Sequence, residues 1–232
     1  MTPRLIILTI TLALCYQVSV AQNPLSQTTQ VEIGLSWTTP FLQEGSELIR
    51  AERLRDNAQS YFVDPDGGRR TVGDYPALSG YSFSVGFYKP LRWAKGLMLG
   101  AVVRNSQTGA QPERAADPEA YYFNFITAGI AAKYYPFSSS NWFVKGDFGL
   151  GAVFTKNRFL NETNEQRFFH QFGIGNGASV GLGYAFTPFK DKTNAIEVQV
   201  LYQQLGTRVE VDGIGDDQWR FGALHAGVNI NF

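Results

Sequence analysis

The feature that most constrains the fold of this chain is a two-residue alternation of apolar with small or polar side chains. Val31, Ile33 and Leu35 alternate with Glu32 and Gly34. A period of two places the two sets on opposite faces of a β-strand. The same alternation recurs at 81–87, 148–152, 180–184, 196–202 and 224–232. The chain is therefore built from strands that each carry one apolar face.

Eight such segments follow one another along the chain. They lie at 29–38, 79–89, 96–105, 121–135, 142–156, 168–187, 194–204 and 218–232. An even number of segments, each near or above the 9–11 residues that a tilted strand needs to cross a membrane, is typical of single-chain bacterial barrels. We predict an all-β fold, an eight-stranded antiparallel transmembrane up-and-down β-barrel.

The face opposite the apolar stripe separates this prediction from a soluble β-sandwich, which remains the alternative. On the sixth segment that face reads Gly173, Gly175, Gly177, Ser179, Gly181 and Gly183. Small residues suit the cramped lumen of a narrow barrel, while the apolar stripe suits lipid. Aromatic residues near the segment ends are predicted to form the interfacial girdles: Trp37, Tyr88, Tyr134, Trp142, Tyr184, Tyr202 and Trp219.

Composition excludes other classes of protein. Twenty Lys and Arg balance twenty Asp and Glu, whereas a nucleic-acid-binding protein normally carries a basic excess or patch. The mean hydropathy of −0.16 does not fit a bundle of membrane helices, each of which needs about 20 consecutive apolar residues.

The first 21 residues are predicted to be a cleavable signal peptide. Arg4 supplies a positive start, residues 5–14 form an apolar core, and Ser19 and Ala21 place small residues at a cleavage site before Gln22. A membrane anchor is the first alternative, but ten apolar residues are too few to span a bilayer as a helix. Lipoprotein processing at Cys15 is the second. Residues 22–232 would then form the barrel.

Connection lengths predict the orientation. Short connections at 89–95, 136–141 and 187–194 each contain Pro followed by Leu or Phe, while longer connections lie between them, the longest at 39–78. Outer-membrane barrels have short periplasmic turns and longer extracellular loops. We therefore expect both termini in the periplasm and an extracellular loop at 39–78.

The end of the chain carries a family resemblance. The alternating residues 224–232 end in Phe232, and residues 133–137 are followed by the Gly-rich strand 141–151. These segments resemble the small outer-membrane barrels of Bacteroidota, with the eight-stranded OmpA/OmpX-like architecture. The resemblance implies location in the outer membrane, contact with outer-membrane lipids and lipopolysaccharide, and an insertion signal at Phe232 that the barrel-insertion machinery reads.

Six charged residues are predicted to face the lumen and to sum to zero: Glu32, Arg104, Lys133, Lys145, Asp147 and Glu197. An unpaired buried charge is costly, so an ion-pair network that plugs the lumen is the favoured interpretation. A proton- or ion-conducting path is the alternative. Within the network, Glu32 is predicted to reach across the lumen to lysines of the fourth and fifth segments.

Little in the sequence supports catalysis. The two histidines are His170, predicted at the outer end of the sixth segment, and His225, predicted to face the lumen. No nucleophile elbow and no zinc-ligand spacing accompanies them, and 64–68 reads as a turn rather than a calcium loop. We expect no enzyme activity, no cofactor and no metal.

The expected function is that of a structural or interaction protein whose extracellular loops contact a surface partner or a larger outer-membrane complex. A lipid A-modifying barrel enzyme and a narrow transport barrel for small solutes are the alternatives. A transport barrel for hydrophobic solutes would need an apolar lumen.

Overall fold

The computed structural model describes residues 23–42, 79–110, 120–137, 140–160, 166–188, 194–211 and 215–232. The predicted signal peptide and most of the predicted 39–78 loop lie outside the described residues. No helix in the described ranges is long and apolar enough to cross a membrane.

Eight antiparallel strands form one closed barrel in which each strand pairs with its sequence neighbours and the last pairs with the first. They are β1 (Gln30–Leu42), β2 (Ser79–Pro90), β3 (Leu97–Ala110), β4 (Ala120–Tyr134), β5 (Trp142–Leu160), β6 (Gln166–Phe186), β7 (Ala195–Val211) and β8 (Gly215–Asn231). The predicted eight-stranded all-β barrel is confirmed.

Several strands are longer than the alternation predicted. β1 continues to Leu42 because it keeps pairing with β8 as far as Phe221, so residues 39–42 of the predicted loop belong to the strand. β7 continues to Val211 and β8 already begins at Gly215. The apolar alternation weakens in these stretches, yet the backbone pairing continues.

The strands tilt strongly against the barrel axis. A path that starts at Val31 and follows cross-strand partners once around the barrel returns to β1 at Phe41. This displacement of ten residues is the stagger that a closed barrel requires, and it corresponds to a tilt of about 40°. Residues far apart along the ladder therefore lie at one height in the lumen.

The two ends of the barrel differ. One end, here called the turn end, carries the connections 91–96, 135–141 and 187–194. Gln30, the first residue of β1, and Asn231, the last residue of β8, lie at the same end. The opposite end, here called the loop end, carries the connections 43–78, 111–119, 161–165 and 212–214. The prediction that every connection at the loop end is longer is wrong, because 161–165 and 212–214 have five and three residues, fewer than the six to eight of the turn-end connections. The strands β5 to β8 continue beyond their predicted ends and shorten these two connections, while the longest connection, 43–78, lies at the loop end as predicted.

The outer wall is an apolar belt. On β2 the exposed residues are Tyr81, Phe83, Val85 and Phe87, while the residues between them are buried. Ile130 on β4 is 74% exposed. A large continuous apolar exterior is unfavourable in water and is typical of a barrel that faces lipid.

Five of the residues predicted for aromatic girdles lie on the outer face: Trp37, Tyr134, Trp142, Tyr184 and Tyr202. Trp37 packs edge-on against Tyr81, and Trp142 packs in the same way against Tyr184, with 5.3 Å between ring centroids in each pair. The side chain of Trp219 lies outside the described residues.

The prediction for Tyr88 was wrong. Its side chain is 1% exposed and lies inside the barrel. The alternation of β2 already assigns Phe87 to the outer face, and the next residue must then face inward. The two-residue period therefore predicts the face of a residue more reliably than its position near the end of a strand.

Candidate functional site: the barrel lumen

The lumen is occupied in successive layers, and β4 shows their order. From the turn end, its inward residues are Lys133, Ala131, Gly129, Thr127 and Phe125, with Tyr135 inside the barrel just beyond the strand. Tyr135 marks an apolar base, Lys133 a charged layer, Thr127 a polar layer and Phe125 a second apolar layer.

The base is closed by the segment that precedes β1. Residues Pro24–Ser26 form one turn of 3₁₀ helix, begun by the Asn23 side chain, which accepts a hydrogen bond from the Leu25 backbone N–H at 2.9 Å. Asn23 also donates to the Ser140 carbonyl oxygen at 2.9 Å. The turn thereby places Leu25, 1% exposed, in a buried cluster that includes Met98.

Lys133 is the centre of the charged layer. Its ammonium group lies 2.7 Å from Glu32 Oε2 and 2.9 Å from Glu197 Oε1, and none of the three side chains is exposed. The ammonium group also lies over the Tyr88 ring, 4.7 Å from its centroid, and over the Phe143 ring at 5.2 Å. Aromatic faces favour a cation that has been removed from water.

The other lysine completes this layer. Lys145 Nζ lies 2.7 Å from Glu32 Oε1, so Glu32 bridges the two lysines with its two oxygens. Tyr135 donates its hydroxyl hydrogen to Glu197 Oε1 at 3.0 Å. Burial, followed by the adjacent Glu197 carboxylate, raises the pKa of Tyr135 above its usual value. The phenol therefore stays protonated as a donor.

Gln30 couples the base to the charged layer. Its amide nitrogen donates to the Leu25 carbonyl oxygen at 2.6 Å, and its amide oxygen accepts from Lys133 Nζ at 3.4 Å. The N-terminal turn and the ion network therefore share one buried side chain.

A second ion pair lies nearer the middle of the barrel. Arg104 Nη2 is 3.2 Å from Asp147 Oδ2, with side chains 4% and 8% exposed. Ser179 donates a short hydrogen bond to the same carboxylate oxygen.

His225 lies in the polar layer above these ion pairs. Its Nδ1 is 2.8 Å from Thr38 Oγ1 and its Nε2 is 2.9 Å from Gln203 Oε1. The Gln203 amide nitrogen donates in turn to Thr127 Oγ1 at 3.1 Å. His225 is 2% exposed, so both ring nitrogens are engaged inside the wall.

Bulky apolar side chains fill the lumen toward the loop end. The Phe125 and Phe221 rings pack edge to face with 4.8 Å between centroids, and Phe123 packs against Phe221 at 6.2 Å. Leu205 and Val153 are buried at the same end. The sequence prediction of a lumen lined mainly by small residues is therefore wrong for this half. The alternation on β4 predicts the observed arrangement, because Phe123 and Phe125 lie on the same face of the strand as Lys133 and must therefore point into the lumen.

All six charged residues predicted for the lumen face inward: Glu32, Arg104, Lys133, Lys145, Asp147 and Glu197. They form two groups, with Arg104 and Asp147 separate from the other four. Both lysines pair with Glu32, Lys133 also pairs with Glu197, and Asp147 pairs with Arg104. Sequence reasoning missed Gln30, Tyr88 and Tyr135, which complete the charged layer.

The C-terminal residue closes the ladder at the turn end. Phe232 exchanges two backbone hydrogen bonds with Val31, at 3.0 and 3.1 Å, and its side chain is exposed on the outer face. Recognition of Phe232 by the barrel-insertion machinery stays a prediction.

The six inward charges of the described lumen sum to zero, and each takes part in an ion pair. The described part of the chain contains no group of three or more His, Cys, Asp or Glu residues that could hold a metal ion. The His170 side chain lies outside the described residues.

Comparison with known proteins identifies the fold. No protein-family model matches the chain, and no curated protein matches its sequence. The structure of the attachment invasion locus protein Ail of Yersinia pestis, in complex with the heparin analogue sucrose octasulfate, is similar with a TM-score of 0.50 and 12% identity, over 89% of this chain and 100% of that one. This likeness shows the fold of a small outer-membrane barrel.

Two other solved structures are similar at lower scores. The neisserial surface protein A is 15% identical over 88% of this chain and 97% of its own, with a TM-score of 0.44. The outer membrane protein OprG of Pseudomonas aeruginosa is 12% identical over 89% and 97%, with a TM-score of 0.41.

Proposed function

We propose that this chain is a non-enzymatic outer-membrane barrel whose loop end is an interaction surface for a partner at the cell surface or for a larger outer-membrane complex. The observation that carries the proposal is the length of the β5–β6 hairpin. β5 has 19 residues and β6 has 21, whereas about 9–11 residues cross a membrane.

The excess length lies at the loop end. On this hairpin the apolar belt extends to the cross-strand partners Phe154 and Phe172, which are 40% and 48% exposed with 4.8 Å between ring centroids. The next outward residue of β5 is the exposed Lys156. Beyond Phe154, β5 continues to Leu160, which at about 3.3 Å per residue and a 40° tilt extends the hairpin roughly 15 Å beyond this level. A projection of this kind suits the display of a binding surface.

The filled lumen supports an interaction role over transport. The Leu25 base, the charged layer around Lys133, and the apolar layer around Phe221 leave little space for solute. An eight-stranded barrel is just wide enough to be filled by its own side chains. Burial of His225 between Thr38 and Gln203 supports a structural role for this histidine over catalysis on lipid.

A shortened hairpin tests the proposal. Thr155 and Gln171 are cross-strand partners, so residues 156–170 can be replaced by the two residues Asn-Gly, which favour a tight hairpin turn. We expect the shortened protein to fold and insert, shown by faster migration on SDS gels when unboiled, and to lose the proteins that co-purify with the full chain after cross-linking in native membranes. The matched control replaces residues 91–96 at the turn end with a turn of equal length.

Two outcomes contradict the proposal. Co-purification that is unchanged by the shortened hairpin would place the interaction elsewhere. Reproducible conductance steps of the full chain in planar bilayers would instead support the transport alternative, and altered lipid A in a strain that carries the gene would support the enzyme alternative.

A further inference from the structure

The outer wall contains a groove within the apolar belt. Ala132 on β4 and Gly146 on β5 face each other as cross-strand partners, and both are smaller than the neighbouring outward residues Leu99, Ile130 and Phe148. The resulting groove has a volume of about 490 Å³ and is lined by these five residues among others. A β-carbon added at Gly146 would meet one atom within 4 Å, the Ser179 carbonyl oxygen at 3.0 Å, so the space around this glycine is open apart from that close contact.

The rim of the groove at the turn end is cationic. Leu99, in the groove wall, pairs with Lys89 on β2, and Lys89 is exposed. Arg92 and Lys95 follow in the adjoining connection and are exposed as well, and Trp93 between them is 79% exposed. The sequence has no acidic residue between Asp74 and Glu113. Three cations therefore accompany one exposed tryptophan at the edge of the belt.

This arrangement matches the two parts of a phospholipid. Tryptophan is enriched at the interface between hydrocarbon and headgroups, and Lys and Arg near that level extend toward the headgroups. The groove begins directly beside the rim, since Lys89 and Leu99 are ladder partners. An acyl chain in the groove would thus bring its phosphate within reach of the cations.

We propose that this face binds one glycerophospholipid of the turn-end leaflet, with an acyl chain in the groove and the phosphate held by Lys89, Arg92 and Lys95. The proposal rests on the membrane location given under the proposed function. A second copy of the chain fits less well, because a two-fold contact would place a concave surface against itself. It would also bring the two sets of cations together.

The test measures lipid retained by the purified barrel. The protein is folded into vesicles of phosphatidylglycerol or of phosphatidylcholine, extracted into mild detergent, and weighed intact by native mass spectrometry. We expect one retained lipid per barrel, with a roughly fivefold preference for phosphatidylglycerol, the factor that about one surface cation contributes.

Two sets of variants separate the groove from the rim. Gly146→Leu fills the groove and should reduce retention of both lipids about tenfold, the factor expected when roughly 60 Å² of apolar contact is lost. Ala132→Leu fills the same space from the opposite strand and serves if Gly146→Leu fails to fold. The triple change of Lys89, Arg92 and Lys95 to Gln should remove the preference for phosphatidylglycerol.

The matched control is Ala226→Leu, which enlarges an exposed outward residue of β8 whose cross-strand partners, Trp37 and Val200, do not line the groove. It should retain lipid as the original chain does. Equal retention by Gly146→Leu and Ala226→Leu, or a folded barrel that retains no lipid, would overturn the inference. Failure to insert into vesicles, read from the gel migration, would instead contradict the membrane location itself.

Discussion

Removal of the Lys133 charge should destabilise the barrel far more than removal of an exposed charge. Lys133→Met keeps most of the side-chain volume but leaves the buried Glu197 carboxylate with the Tyr135 hydroxyl and no cation in contact. Breaking a buried ion pair by removing one partner costs about 3–5 kcal/mol. Glu32 keeps Lys145 at 2.7 Å, so the loss is confined to one carboxylate.

A second substitution determines whether the cost comes from charge. Lys133→Met combined with Glu197→Gln leaves the layer neutral, with Glu32 and Lys145 still paired. Because replacement of a complete buried pair is often nearly neutral, the double variant should be more stable than Lys133→Met alone by about 2 kcal/mol or more. Such non-additivity is expected only for residues in direct contact.

Equilibrium unfolding in urea measures these differences. The protein is folded in detergent or vesicles, and the folded fraction is read from tryptophan fluorescence and from migration on unboiled SDS gels. The control is Arg208→Met, at an exposed position of β7, which should change the free energy of unfolding by less than about 0.5 kcal/mol. Equal losses from Lys133→Met and Arg208→Met, or strict additivity in the double variant, would refute the reasoning.

Three further predictions concern the wall and the base of the barrel. Gly175→Ala should lower the free energy of unfolding by about 1–3 kcal/mol in urea titrations, because its β-carbon would meet the Gly206 backbone. Gly206→Ala should be nearly neutral, because its β-carbon has no neighbour within 4 Å. Equal effects of the two substitutions would contradict this prediction. The cysteine of Met98→Cys should resist labelling by a water-soluble maleimide, because residue 98 is buried in the cluster that contains Leu25. Adding Leu25→Ala should make this cysteine accessible to the reagent. Equal labelling of the single and double variants would show that the N-terminal turn does not close the base. The complete chain should migrate faster on SDS gels when unboiled, and identical migration would contradict a stable barrel.

The face of each strand residue was predictable because a period of two assigns whole strands at once. Once Val31 and Ile33 are placed on the lipid side, Glu32 must point inward. The alternation alone places Lys133, Lys145 and Glu197 in the lumen by the same argument. Where the period was not followed through, as at Tyr88 and Phe125, the prediction failed although the sequence contained the answer.

Which inward residues meet is a different matter, because contacts across the lumen depend on the stagger of the closed barrel. Glu32 reaches Lys133 and Lys145 only because the ladder rises by ten residues in one circuit. The same stagger brings Arg104 of β3 within 3.2 Å of Asp147, while Lys145, the neighbour of Asp147 on one face of β5, pairs with Glu32. No local pattern encodes this displacement.

The sequence by itself determined the strand count, the apolar exterior and the neutral sum of inward charges, because each depends on residue types and their period along the strands. Only the tertiary structure decided the layers of the lumen, the turn that places Leu25 beneath them, and the groove beside Ala132 and Gly146. These depend on the heights at which side chains from different strands meet. Barrel closure sets those heights, and closure involves all eight strands together.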